Sequence, residues 1–281
     1  MNENESAYCD YNDSFPVYDR IRTPHASGEI LEILRRESIP PKGMRLLDGG
    51  YGTGLHMEFF SSHVKEVHGI EGSSAGYQET RRKLQGVANA YPRRGNILHL
   101  PFADDFFDAY LVNQVLHHLD WDPEFPGLDA FLKEAKRTLR PGGILIVNTC
   151  SQEQLDPETG SFWFYRYIEK GAREMKKRYI PLEELVARLE KEGFTDLKRT
   201  IPEERIFTDR VYEDPRIALE ESFIKGDSAF SFLSELELKE FRNTLETALQ
   251  DGSVYDIMKY AEKRGEEIGE TVILTARLHA S

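Results

Sequence analysis

"LLDGGYGTG", Leu46 to Gly54, is an apolar run closed by an acid and then by Gly50, Gly52 and Gly54 on alternate positions. A strand, a glycine-rich turn and a following helix place backbone amides where a ligand can approach, because glycine has no side chain to hold it off. The spacing narrows the choice of ligand. A dinucleotide fingerprint wants its third glycine one residue later, where Leu55 stands, and the Gly-Lys-Ser/Thr ending of a phosphate-binding loop is absent. Phosphates are therefore not the expected cargo. Taken alone, the turn is equally readable as plain structure.

Working outward, apolar runs recur between helix-like stretches: "MRLLD" (44–48), "EVHGIE" (66–71), "FDAYLVN" (107–113) and "GILIVNT" (143–149). Strands alternating with helices predict a parallel sheet covered on both faces. Thr23 and Pro24 are placed to open a helix whose apolar stripe is Ile30, Leu31, Ile33 and Leu34. Leu128, Phe131, Leu132, Ala135 and Leu139 repeat at helical spacing before "RPGG" (140–143), which reads as a break and turn. A further helix runs from Pro181 to a stop at Gly193; "FTDLKRTI" and "ETVILTARL" read as late, antiparallel edge strands. The segment 211–264 reads as a helical insertion, with a capping box at Ser234 and Glu237, a face of Leu238, Phe241, Leu245 and Leu249, and a stop at Gly252.

Composition excludes several classes. Against 36 Lys+Arg stand 49 Asp+Glu, a formal charge of −13 that repels a phosphate backbone, so nucleic acid is not an expected partner. Cys9 and Cys150 lie far apart without metal-ligand spacing, so neither a disulfide framework nor a metal site is expected, and a reducing cytoplasm fits. The N-terminus is acidic and polar where a signal peptide needs a basic start, and no apolar run is long enough to span a bilayer.

The company of the glycine loop sharpens its reading. Glu71 in "GIEGS" stands at the end of the next apolar run, where a carboxylate can accept from both hydroxyls of a ribose, and "GNILHLPFADDFFDAYLVNQVLHHL" (95–119) and "LRPGG" follow. With these motifs in order over roughly 18–149, the chain resembles the class I S-adenosylmethionine-dependent methyltransferases, of the small-molecule type typified by the ubiquinone/menaquinone-biosynthesis enzymes. The resemblance implies an α/β fold: a Rossmann-like, seven-stranded, mostly parallel sheet with helices on both faces. It implies an N-terminal helical element (1–40) closing over the cofactor, a methyltransferase core (41–210 with 265–281), and a lid (211–264).

Carried to this sequence, the resemblance implies that Asp48 orders the loop and the cofactor's amino group and that Gly50, Tyr51, Gly52 and Gly54 form the backbone cradle. It implies that Glu71, with Gly72 and Ser73, holds the ribose, and that Asn96 and Ile97 face the adenine. Tyr18 and Arg22 in "VYDRIR", and Asn113 and Gln114 after the fourth strand, are further expected cofactor contacts. Two departures stand out: Asn96 where the family commonly has Asp, and Tyr51 where Cys or another residue is common. His117 and His118 are the candidates for a base or an acceptor-orienting group. The expected activity is methyl transfer from S-adenosylmethionine to the oxygen, nitrogen or carbon of a small molecule, with S-adenosylhomocysteine as product and a homodimer as a possible assembly. Methylation of a protein or RNA, and cofactor binding without transfer, stay open as alternatives. "FWFYRYI" (162–168) reads equally as a wall for a flat acceptor or as core, Cys150 as a small buried residue, and "KKR" (176–178) as a solvated face.

Overall fold

The structure is a computed structural model that describes residues 19–120 and 122–279; Tyr18 and Cys9 lie outside the described residues. Seven strands form one sheet in the order β3-β2-β1-β4-β5-β7-β6. They are β1 (Arg45–Gly49), β2 (Glu66–Glu71), β3 (Ala90–Arg94), β4 (Phe107–Asn113), β5 (Leu139–Thr149), β6 (Phe194–Thr200) and β7 (Val272–Leu278). Strands β1 to β5 pair in parallel, while β7 runs antiparallel between β5 and β6. The order reverses between β1 and β4, and the crevice at their carboxyl ends is where ligands bind in open α/β sheets.

Alternation along the central strands explains why the sheet is buried on both sides. In β4, Phe107, Tyr110 and Val112 join one apolar cluster, with Phe131 and Leu132 of α4 (Pro126–Thr138). Ala109 and Leu111 face the opposite cluster, with Ile30 and Leu34 of α1 (Ser27–Arg35) and Met57 and Phe60 of α2 (Leu55–Ser61). The remaining helices on the sheet are α3 (Ser74–Lys83) and α6 (Leu182–Lys191), whereas α5 (Glu169–Arg178) packs its Ala172 and Met175 into a third apolar cluster with Phe164.

Between β6 and β7 come α7 (Asp209–Glu213), α8 (Glu221–Gly226), α9 (Glu235–Asp251) and α10 (Ser253–Ile268). The capping box of Ser234 and Glu237 is present at the start of α9, and Gly252 ends it at φ 82°. These helices do not pack as a separate cap. Their Val211, Phe223, Phe230, Phe241 and Leu245 share one core with Trp163, Phe164 and Tyr165, so the aromatic stretch belongs to the insertion's core.

Four local expectations are corrected. Helix α1 starts at Ser27 behind Ala26, which sits at φ 61°, so Thr23 and Pro24 precede the helix. "RPGG" lies within β5: its register to β4 jumps from Phe107↔Leu139 to Ala109↔Ile144, and Gly142 at φ 75° absorbs the extra residues as a bulge. Strand β3, "AYPRR", has no apolar run to announce it; as an edge strand it tolerates Pro92 and exposed arginines. In "KKR", Lys177 is exposed but Arg178 is buried and donates from Nη1 to the Asp120 carbonyl (2.5 Å). No described helix is long and apolar enough to cross a membrane.

Candidate functional site

The glycine turn leaves β1 with Gly50, Gly52 and Gly54 all in the left-handed region, at φ 73°, 56° and 81°. For two of them the demand comes from the protein itself: a Cβ on Gly50 would stand 2.6 Å from Val115, and one on Gly54 2.6 Å from Thr80. The loop is tied to β2 by Glu71, whose Oε2 accepts from Gly52 N (2.9 Å) while Oε1 accepts from Ser73 N (2.7 Å). Ser73 in turn caps α3, accepting from Gly76 N. Tyr51 lies buried against Gly69, and its hydroxyl donates to the Arg93 carbonyl (3.2 Å).

Asp48 and Glu71 bring two acids together below the loop. Asp48 is 2% exposed and its Oδ2 is buried without a partner. Burial, and then the Glu71 charge, push its carboxyl up to about 8. Burial also raises Glu71, against the lowering effect of the amides of Ser73, Gly52 and Gly72. No cation appears among the described groups acting on either carboxyl. Such a pair is stable only when protonated or matched by a positive ligand.

Beyond β2, Ile97 is buried, and Asn96 folds its amide oxygen onto its own turn, accepting from Leu98 N (2.9 Å). At the end of β4 the two amides diverge. Asn113 turns its side-chain amide toward α2, 2.8 Å from Nε2 of His56, an imidazole that burial holds neutral and that donates from the same nitrogen to the His25 carbonyl (3.0 Å). Gln114 is at φ 55°, a strained conformation for a side-chain-bearing residue, pinned by its own N–H to the Asn148 carbonyl (2.8 Å). Its side chain enters a second space.

That space is a cavity of about 470 Å³, its open mouth included, beside the carboxyl ends of β4 and β5. Its floor is a chain of polar groups. Tyr179 Oη donates to Gln114 Oε1 (2.9 Å), the Cys150 thiol donates to the same oxygen (3.6 Å), and Tyr179 Oη accepts from His117 Nε2 (3.4 Å). Tyr179 also stacks on His117 at 4.3 Å, and His118 lies 3.9 Å from it on ring centroids. Burial, with His118, Arg22 and Arg178 nearby, holds His117 well below the usual histidine range; burial also lowers His118 to about 3 and pushes the Cys150 thiol up to about 12. Phe162, Tyr165 and Phe207 form aromatic walls.

Arg22 and Asp227, an ion pair at 3.4 Å, also line this cavity. The chain on either side of Arg22 is a strap. Asp19 pairs with Lys83 of α3 and accepts from Thr53 Oγ1 (2.5 Å), while Thr208 N donates to Ile21 O (2.9 Å) and Arg22 bridges Phe207. Sequence reasoning passed over Asp19, although it lies between Tyr18 and Arg22 in "VYDRIR", and missed Tyr179, Phe207 and Asp227, which stand in no recognisable motif and reach the site only through packing. Among the described residues no group of three or more His, Cys, Asp or Glu could hold a metal ion.

Comparison with known proteins supplies an independent view. Residues 47–147 match the family model described as a methyltransferase domain. The ubiquinone biosynthesis O-methyltransferase of Cereibacter sphaeroides (strain KD131 / KCTC 12085) is 29% identical over 169 residues, 57% of this chain and 64% of that protein. The ubiquinone/menaquinone biosynthesis C-methyltransferase of Haemophilus ducreyi is 32% identical over 132 residues, 45% of this chain and 49% of that protein. The chain thus spans between about half and two thirds of these two relatives. A crystal structure from an antibiotic biosynthesis pathway of Anabaena variabilis ATCC 29413 superposes with a TM-score of 0.73 at 18% identity, covering 93% of this chain and all of that one. At that identity the likeness speaks for the fold.

Proposed function

We propose that this chain, whose residues 47–147 are a methyltransferase domain, transfers a methyl group from S-adenosylmethionine to a small molecule seated in the aromatic cavity. The observation that carries the reading is the acid pair Asp48 and Glu71 under a loop of three left-handed glycines, with the cavity opening at the adjacent strand ends. The residues fit the cofactor chemically. The orphaned Asp48 oxygen and the absence of any described cation beside the pair suit a ligand with an ammonium and a sulfonium, and the turn offers no basic side chain for phosphates.

When bound, S-adenosylmethionine supplies a methyl carbon made electrophilic by its sulfonium. Asp48 would hold the ligand's amino group, Glu71 and Ser73 its ribose, and Ile97 would pack on its ring, with Asn96 offering the remaining lone pair of its oxygen. Tyr51 and Gly72 support the loop and the β2 end. The acceptor lies over Gln114, His117 and Tyr179. Placing two reactants in line supplies roughly 7–11 kcal/mol of such a barrier, so positioning is the protein's main contribution. His117 is too weakly basic to take a proton readily near neutrality, which favours it as an orienting group. Its Nε2 points to Tyr179, leaving Nδ1 bare and buried. His118 backs the His117 ring.

The strap of residues 19–22 and the insertion 211–264 close the two sides of the site. Calorimetric titration with S-adenosylmethionine and S-adenosylhomocysteine tests the reading. The wild type should bind in the micromolar range, and Glu71→Ala should weaken binding about 10- to 100-fold, the loss of one or two hydrogen bonds to a charged group. A nicotinamide dinucleotide should give no heat. Absence of binding by folded, cofactor-free protein overturns the reading.

A further inference from the structure

Two polar atoms of residues that line the cavity are left without partners, and they belong to side chains that share one neighbour. Gln114 Nε2 and His117 Nδ1 are both buried and unpaired, while the other ends of the same two groups meet the Tyr179 hydroxyl. A buried polar atom without a partner has lost its bonds to water and gained none in return. Gln114 bears this in addition to a backbone held at φ 55°. Strain and unpaired groups gathered beside a cavity mark a place where a ligand completes the bonding.

The hydrogen bonds already made decide what the bare ends offer. Gln114 Oε1 accepts from the Tyr179 hydroxyl at 2.9 Å and from the Cys150 thiol at 3.6 Å, so the oxygen end of the amide is occupied and the nitrogen, a donor, is bare. A tyrosine hydroxyl has one hydrogen, and Tyr179 gives it to Gln114. Toward His117 it then only accepts, which places the imidazole proton on Nε2, 3.4 Å away, and leaves Nδ1 as an acceptor. The stack of Tyr179 on His117, 4.3 Å between ring centroids, holds the imidazole in place. The two bare ends therefore present one donor and one acceptor.

We propose that Tyr179 is a positioning residue of the acceptor site, which fixes the amide of Gln114 and the tautomer of His117 so that together they recognise an uncharged hydroxyl on a flat acceptor. The hydroxyl donates to His117 Nδ1 and accepts from Gln114 Nε2, and the ring that bears it lies among Phe162, Tyr165 and Phe207. A carboxylate or an ether only accepts and an ammonium only donates, so each leaves one end unpaired. The contact is recognition, and no proton moves in it. It rests on the reading of the cavity as an acceptor site and adds to it the chemical class of the recognised group.

The test uses the full chain with saturating S-adenosylhomocysteine and four probes of one ring size: phenol, anisole, benzoate and benzylamine, titrated by ligand-observed NMR. Phenol should bind about tenfold or more tightly than each of the others, the loss of one buried hydrogen bond. Heteronuclear NMR of the histidine ring nitrogens should show His117 protonated on Nε2 and bare on Nδ1. Tyr179→Phe should free both side chains to turn, bringing phenol and anisole close to equal and mixing the two His117 tautomers, whereas a purely structural role would weaken all four probes alike. Gln114→Glu, which replaces the donor by an acceptor of the same shape, should move the preference from phenol to benzylamine. Circular dichroism and thermal melts identify any variant that fails to fold, and the probe series and tautomer of the wild type then decide by themselves. Anisole binding as tightly as phenol, a proton on His117 Nδ1, or an unchanged preference for phenol in folded Tyr179→Phe each overturns the proposal. Failure of the wild type to bind S-adenosylhomocysteine counts against the methyltransferase reading, while the tautomer and the phenol series without it still decide the role of Tyr179.

Discussion

Asp48 and Glu71 are costly residues, and the cost has a direction in pH. Burial beside Glu71 raises the folded Asp48 carboxyl to about 8, well above the ordinary aspartate value of 3.8. Its contribution to stability is therefore whole below about pH 4 and is lost as the pH rises through 8. The ligand-free wild type should melt at progressively lower temperature from pH 5 to 8.5, and Asp48→Asn should flatten that slope; a slope unchanged in the variant would remove Asp48 as its source. A positive ligand inverts the sign, so stabilisation by S-adenosylmethionine should grow over the same interval. Gly50 gives a second prediction at this scale. With φ at 73° and Val115 2.6 Å from any added Cβ, Gly50→Ala should cost about 1–3 kcal/mol in urea denaturation and weaken cofactor binding.

At the scale of elements, the loops at the carboxyl edge do the positioning and the helices behind them bear the load. Helix α9 is tied down at its start by the reciprocal bonds of Ser234 and Glu237. Ser234→Ala should cost about 1 kcal/mol, read by urea denaturation, with cofactor affinity unchanged because the cap is exposed and remote from the glycine loop. Strand β5 shows how an element serves the site. Its bulge at Gly142 lets "RPGG" pass without breaking the ladder, so Asn148 still faces Asn113 and can hold Gln114 in its strained conformation.

For the molecule as a whole, the core of the sheet, an apolar cluster on each face, stands beside a second core that lines the cavity and joins the aromatic stretch to the insertion, with Phe164 packed against Phe207, Phe223 and Phe230. Phe164→Ala should cost about 3–5 kcal/mol. Hydrogen exchange should rise first in 206–261, and acceptor affinity should fall before cofactor affinity does. Uniform acceleration across the sheet as well would show the two cores to be one cooperative unit.

Much of this protein was legible in its sequence because the signals are short-range. Apolar runs mark β2 and β4 at their observed ends, three left-handed turn positions in a row at 50, 52 and 54 are filled by glycines, and Ser234 with Glu237 announces a helix start from four adjacent residues. Where the local signal was weak or ambiguous, the reading missed or slipped: β3 has no apolar run, Thr23 looked like a cap that Ala26 displaced, and Arg178 sat in a basic run although packing buries it. The glycine loop and its acids follow from the chain's local chemistry, whereas the order of the strands is seen only in the structure. The cavity beside β4 and β5 does not follow from local chemistry either, because Arg22, Gln114, Tyr179 and Asp227 line one space only when the strap, the strand ends and the insertion close on one another, and contacts across some 200 residues of sequence leave no periodic trace in it.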